Sequence, residues 1–194
     1  MSEPTYGIIV EGPYDVPVYE ELIPKISPAI GRIISRPAGG VTKLLRLLPS
    51  LLRDLDHVKR GEPVDKVLVI RDASGKSTPE LDRQFSERIR TQAFSFPKGI
   101  KFHAVHRAVE TWLLVDVSAI NAVALARGGR PVSDITGDVE TIEDPKGKLR
   151  NTLSCARLPC DPMVCGEIAR RIRLETLRYR SPSFRAFEEK VLDC

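Results

Sequence analysis

The sequence predicts an α/β protein, a parallel sheet flanked by helices with a mostly helical C-terminal half. Three observations predict it. The apolar run Ile8-Ile9-Val10 shows no polar alternation, as suits a strand covered on both faces, and it ends abruptly in Glu11-Gly12-Pro13. The run Lys66-Val67-Leu68-Val69-Ile70 repeats that grammar, closing on Arg71-Asp72 and the small-residue turn Ala73-Ser74-Gly75. Strand-like and helix-like stretches alternate through this half, as right-handed β-α-β crossovers require.

Each element has its own justification. Residues 6–10 form the first strand and 14–26 the first helix, where Tyr19, Leu22, Ile23 and Ile26 recur at helical spacing and Pro24 ends or kinks the run. A second strand is expected at 30–35, followed by a turn at 37–40. The next helix carries a stripe of Leu44, Leu48, Leu51, Leu55 and Val58, with a kink at Pro49 and a stop at Gly61. Its cations Lys43, Arg46, Arg53, Lys59 and Arg60 face outward or toward a phosphate, a solvated face being the simpler reading for most of them. After the strand at 66–72 a helix is expected from Thr78 or Pro79 to Phe94, then a strand at 100–105.

The second half reads as helices. One or two span 108–127, ending at Gly128-Gly129, and 128–144 reads as a solvated acidic loop. Asp144-Pro145-Lys146 supplies a cap and first turn for a helix at 146–154. A basic helix with Arg170, Arg171, Arg173 and Arg178 follows, and Ser181-Pro182-Ser183 introduces a last helix with Phe184, Phe187 and Val191. The expected organisation is an α/β core at 1–106 with a helical extension at 107–194 packed on it as a single compact unit. A chain of 194 residues, 42% hydrophobic, suffices for such a core.

Composition narrows the function classes. A formal net charge of +4 permits a polyanionic partner without demanding one. No basic start precedes an apolar signal core and no apolar run approaches the roughly 20 residues of a membrane span, so a soluble, cytoplasmic protein with no membrane partner is expected. Cys155, Cys160, Cys165 and Cys194 lack zinc spacing and read as reduced thiols; His57, His103 and His106 are scattered. Gly75-Lys76-Ser77 resembles the end of a phosphate-binding P-loop, but the position five residues before Gly75 is Ile70, not glycine, so nucleotide hydrolysis is rejected.

The acids carry the sharper inference. Ligand sites of parallel sheets lie at the carboxyl ends of the strands, where Glu11 and Asp72 would stand. Asp15 follows Glu11 by four positions, and Glu110 adjoins an apolar helical face as a third acid or an ordinary exposed one. The plain alternative for Glu11 is an acid at the positive end of a helix.

EGPYD at 11–15, IRDASG at 70–75, ETWLL at 110–114, DPKGKL at 144–149 and PSFRAF at 182–187, taken in that order, resemble the small stand-alone Toprim-like bacterial proteins of unknown function related to OLD-family nucleases. The resemblance spans nearly the whole chain. It implies a Toprim-type nuclease using Mg²⁺ or Mn²⁺ to hydrolyse DNA or RNA, with an ATPase partner in anti-phage defence. It also implies metal ligation by Glu11, Asp15, Asp72, Ser74 and Glu110, with Glu11 and Asp72 in catalysis and Lys76 or Lys146 assisting developing charge. Hard cations prefer such oxygen ligands. One departure matters: Ser74 replaces the second acid of the family's DxD motif. The rival expectation is therefore a non-catalytic module that binds nucleic acid or an ATPase partner.

Overall fold

A computed structural model describes residues 3–58 and 63–193. Four parallel strands, β1 (Thr5–Val10), β2 (Arg32–Pro37), β3 (Lys66–Asp72) and β4 (Ile100–Val105), form one sheet in the order β2-β1-β3-β4. Helices α1 (Val16–Ile26), α2 (Val41–Asp56) and α3 (Thr78–Ile89) connect them, and α4 (Glu110–Val115), α5 (Val117–Ala126), α6 (Pro145–Cys155), α7 (Pro162–Arg171), α8 (Leu174–Arg180) and α9 (Pro182–Leu192) follow. The expected parallel sheet with a helical C-terminal half is what the chain forms.

Side chains alternate across the sheet, and the two faces are covered differently. Ile8, Val10, Leu68 and Ile70 pack with α1 and the C-terminal helices, in a core that includes Tyr19, Leu22, Trp112, Phe184 and Phe187. Ile9, Val67 and Val69 pack on the other face with Leu44, Leu48, Leu52 and Leu55 of α2 and Phe85 of α3. The chain leaves β1 toward β2 along one face and returns over the other to β3. The switch in winding therefore lies between β1 and β3, where such sheets hold their ligands.

Close approaches hold both layers. A Cβ on Gly7 would stand 2.8 Å from Leu55 Cδ1, so glycine lets α2 settle on β1; Gly166 does the same for α7 against Pro17 of α1. Lys66, buried in β3, donates to the carbonyls of Val191 and Asp193 at the end of α9. Lys25 donates to the Ala169, Arg170 and Ile172 carbonyls at the end of α7. Both lysines sit at the negative ends of helices.

Several boundaries differ from expectation, each for a physical reason. β2 runs two residues later than 30–35, because its ladder pairs Arg32–Pro37 with Thr5–Val10. The buried stripe of α2 uses Leu52, with Leu51 only half-buried, so spacing of four carries the face from Leu44 to Leu52. Both α1 and α2 continue past their prolines, and α2 ends at Asp56. Lys59, Arg60, Gly61 and Cys194 lie outside the described residues. α3 stops at Ile89 rather than Phe94, since Phe94 and Phe96 leave the helix to stack on each other 5.9 Å apart against the α2 core. The loop at 128–144 contains a 3₁₀ turn at Val139–Thr141 that buries Val139. Its Glu140 is not simply solvated: it accepts from Ser181 Oγ and the Ser183 N–H. The arginines of the C-terminal helices are engaged within the protein, Arg170 with Glu21, Arg173 with buried Asp116, and Arg178 with Glu188.

Candidate functional site

The register sets the geometry. Val10 pairs with Ile70 across β1 and β3. One step beyond on each strand stand Glu11 and Arg71, and Asp72 follows. Strand alternation places Asp72 with Leu68 and Ile70 toward α1, and Arg71 with Val67 and Val69 toward α2 and α3.

Asp15 occupies the position before α1 and turns back, its Oδ2 accepting from the Gly12 N–H at 3.2 Å. This bond folds EGPYD into a compact turn ahead of α1. Glu110 is the first residue of α4, where an acid suits the positive end of the helix. Glu11, Asp15, Asp72 and Glu110 thus belong to one electrostatic cluster at the carboxyl edge of the sheet. Burial, then the Asp72 charge, raises the Glu11 pKa. Burial, then Asp72 and Glu110, pushes Asp15 up to about 7, against the pull of its Gly12 hydrogen bond. Burial raises Glu110 as well, with Asp72 and Glu11 adding to it against Lys146. Under the cluster lies the ring of Tyr19, buried and edge-on to Trp112. Its phenol is held well above the ordinary range by burial and by all four acids.

One lysine answers these acids. Lys146, in the first turn of α6, places Nζ 2.8 Å from Asp72 Oδ2. Its side chain is 52% exposed while that of Asp72 is 8% exposed, so a flexible cation reaches in from solvent to a buried acid. The cap expected at Asp144 is present, its Oδ1 accepting from the Gly147 N–H, and this fixes the start of α6. Burial alone would lower the Lys146 pKa; the hydrogen bond to Asp72 and the charges of Asp72, Glu110 and Asp15 outweigh it and raise the value. A cavity of about 390 Å³ opens beside this pair, lined also by Ser74, Gly75 and Arg107.

Of the other expected site residues, Ser74 borders the cluster and Lys76 sits apart. Ser74 is exposed on the rim next to Asp72, in left-handed backbone at φ 48° followed by Gly75 at φ 83°. Lys76 pairs with Glu80 at 3.8 Å and lines a different cavity, on the α2–α3 side. Lys146, rather than Lys76, is the lysine bonded to an acid of the cluster. The sequence signal for it was the DPKGKL cap, which locates a helix start without revealing that this start meets β3.

The residues fit a divalent cation in chemistry. The donor set is all oxygen and anionic, as hard cations require, and Glu11 Oε2 and Glu110 Oε2 are buried without a hydrogen-bond partner among the described residues. No three Asp, Glu, His or Cys side chains among the described residues form a ready-made metal cage. In the observed arrangement the Lys146 ammonium holds Asp72, neutralising the strand-end acid.

No family model, curated protein or solved structure matches this chain. No helix among the described residues is long and apolar enough to cross a membrane.

Proposed function

We propose that this protein is a Toprim-like, divalent-metal-dependent nuclease that hydrolyses phosphodiester bonds of DNA or RNA at the carboxyl edge of its sheet. The observation that carries the reading is the convergence of Glu11, Asp15, Asp72 and Glu110 at the winding switch between β1 and β3, with Lys146 bonded to Asp72. Burial and neighbouring charge raise the proton affinity of Glu11, Asp15 and Glu110, so keeping these acids in a partly buried site is costly to the fold. That cost is offset when a cation binds.

Glu11 and Asp72 would hold Mg²⁺ or Mn²⁺, with Asp15 and Glu110 completing the anionic shell and Ser74 offering a neutral oxygen at the rim. The bound ion supplies an activated water and charge neutralisation at the phosphate. The chain's own residues do the remainder. Lys146 neutralises Asp72 in the resting state and, released from it, is placed to face the charge that develops on a phosphate. The Asp15 bond to the Gly12 N–H holds the β1–α1 turn in register with the end of β3.

The test is cleavage of DNA and RNA strands with Mg²⁺ or Mn²⁺. Wild type cuts, and Glu11→Ala and Asp72→Ala lose cutting by about a hundredfold to a thousandfold, as for removal of a group stabilising transition-state charge. Equal cutting by the variants refutes the assignment. Ser74→Asp, which restores the second acid on a backbone conformation that aspartate tolerates, is expected to bind Mn²⁺ more tightly.

A second reading is favoured by one specific observation, the Lys146–Asp72 pair, which already neutralises the strand-end acid. On that reading the domain binds nucleic acid or an ATPase partner without cutting. Strand binding by wild type with no cleavage at any Mg²⁺ or Mn²⁺ concentration favours it.

A further inference from the structure

On the opposite face of β3 from Asp72, a cavity of about 500 Å³ opens between α2 and α3. Arg46, Arg71, Lys76 and Arg88 line it together with Thr42 and Ser74, and no acid among the described residues lines it. Lys76 is shared with Glu80 at 3.8 Å. Glu11, Asp72 and Glu80 act on Arg71 from outside the lining, yet with Arg46 and Arg88 the concavity keeps an excess of positive charge, which disfavours an apolar or cationic ligand and favours an anion.

Arg71 is the decisive residue. It is 4% exposed, lies over the Phe85 ring at 6.0 Å, and donates through Nε to its neighbour's carbonyl at Asp72. Its Nη1 is buried with no acceptor among the described residues. A buried guanidinium with an orphan donor is costly to the fold, and a planar donor fork of this kind matches a phosphate.

The backbone on the other wall suits the same ligand. α2, 16 residues long, starts at this cavity with no side-chain cap and no acid in its first turn. Its N-terminus therefore presents a positive dipole end. Gly39 and Gly40 precede it at φ 80° and 120°, and a Cβ on Gly40 would project into empty space. The turn is anchored to the acid site, since the Gly40 N–H donates to the Glu11 carbonyl at 2.7 Å. Cationic cavity and carboxylate cluster are thus fixed to each other through the ends of β1 and β3, with Ser74 on the rim of both cavities.

We propose that the α2–α3 cavity is a phosphate-binding subsite that takes a backbone phosphate of a nucleic-acid strand, next to the phosphodiester presented to Glu11 and Asp72. The substrate strand then crosses the sheet edge from the carboxylates to the N-terminus of α2. This deepens the nuclease reading and rests on it for the position of the neighbouring phosphodiester.

Binding is measured by fluorescence anisotropy of short labelled DNA and RNA single strands in EDTA, over a range of salt concentrations, so nothing is cut. Arg46→Gln/Arg88→Gln changes two exposed side chains of the cavity. It is expected to weaken binding about tenfold and to flatten the log–log salt dependence by about 0.7 for each phosphate the variant no longer neutralises. Arg83→Gln/Arg90→Gln, two exposed arginines outside the cavity, serves as the control and leaves the slope unchanged. Arg71→Met is expected to weaken binding in the same direction, and inorganic pyrophosphate competes with the strand for wild type. Wild-type slope and affinity in Arg46→Gln/Arg88→Gln overturn the subsite, even if Glu11→Ala abolishes cutting. Binding of pyrophosphate alone, with neither strand bound, also overturns it. Weakened binding together with an absence of cleavage in wild type retains the subsite and removes the nuclease reading.

Discussion

Replacing Asp15 by asparagine in the metal-free protein is expected to stabilise it at alkaline pH. Asp15 sits among Asp72 and Glu110, and burial with those charges lifts its pKa from an ordinary 3.8 to about 7. In the unfolded chain the carboxyl ionises near 3.8, whereas the native chain keeps the proton until about 7. The native state therefore binds more protons between these values, and stability is lost as pH rises through 7. At about 1.4 kcal/mol per pH unit the full difference is roughly 4 kcal/mol. Residual solvent contact screens the charge, and about half of that, near 2 kcal/mol, is the expected effect. Asparagine removes the charge and still accepts from the Gly12 N–H. Urea unfolding with EDTA at pH 8 should show Asp15→Asn more stable by about 2 kcal/mol, a Tm rise of about 4–8 °C for a chain of this size. The advantage shrinks toward pH 4.5, and saturating Mn²⁺ removes it by stabilising the wild type. A variant no more stable than wild type at pH 8 refutes the electrostatic reasoning.

Other outcomes follow from the same structure. Lys146→Met should cost the metal-free protein about 1 kcal/mol, since a half-exposed lysine is screened. By removing a competitor for Asp72 it should tighten Mn²⁺ binding about tenfold by calorimetry; weaker binding contradicts the competition. Lys25→Met removes the cation that caps the end of α7 through three carbonyls and is expected to cost about 1–2 kcal/mol in chemical denaturation. His103, buried beside Trp112 and Phe187, is pushed from 6.5 to about 4 by burial and then by Lys190. The unfolded chain takes its proton first, so His103 makes stability fall as pH drops from 6.5 to 4, by roughly 3 kcal/mol in all. His103→Gln should flatten that limb relative to wild type; an unchanged pH profile contradicts the assignment.

The strands were readable because both are apolar on two faces, and the acids at their ends were readable because parallel strands share one edge. The order of the strands was not: placing β1 beside β3 depends on which face each helix crosses. Arg71 lay in plain view inside IRDASG, and alternation along β3 alone sends it away from Asp72. Its orphan Nη1 depends on packing against Phe85, which no local pattern reports. Lys146 was legible as the start of a capped helix, but its meeting with Asp72 joins positions far apart in the chain through the packing of α6 on α4. Likewise the end of α3 is set by tertiary burial of Phe94 and Phe96, which overrides the helical run of polar residues after Ile89.

The most direct test of the central claim is an anomalous difference map from a crystal equilibrated with Mn²⁺. The cluster of Glu11, Asp15, Asp72 and Glu110 predicts a peak bonded to Glu11 and Asp72, with the Lys146 ammonium moved off Asp72. The claim is contradicted if saturating Mn²⁺ leaves no peak there and Lys146 stays bonded to Asp72.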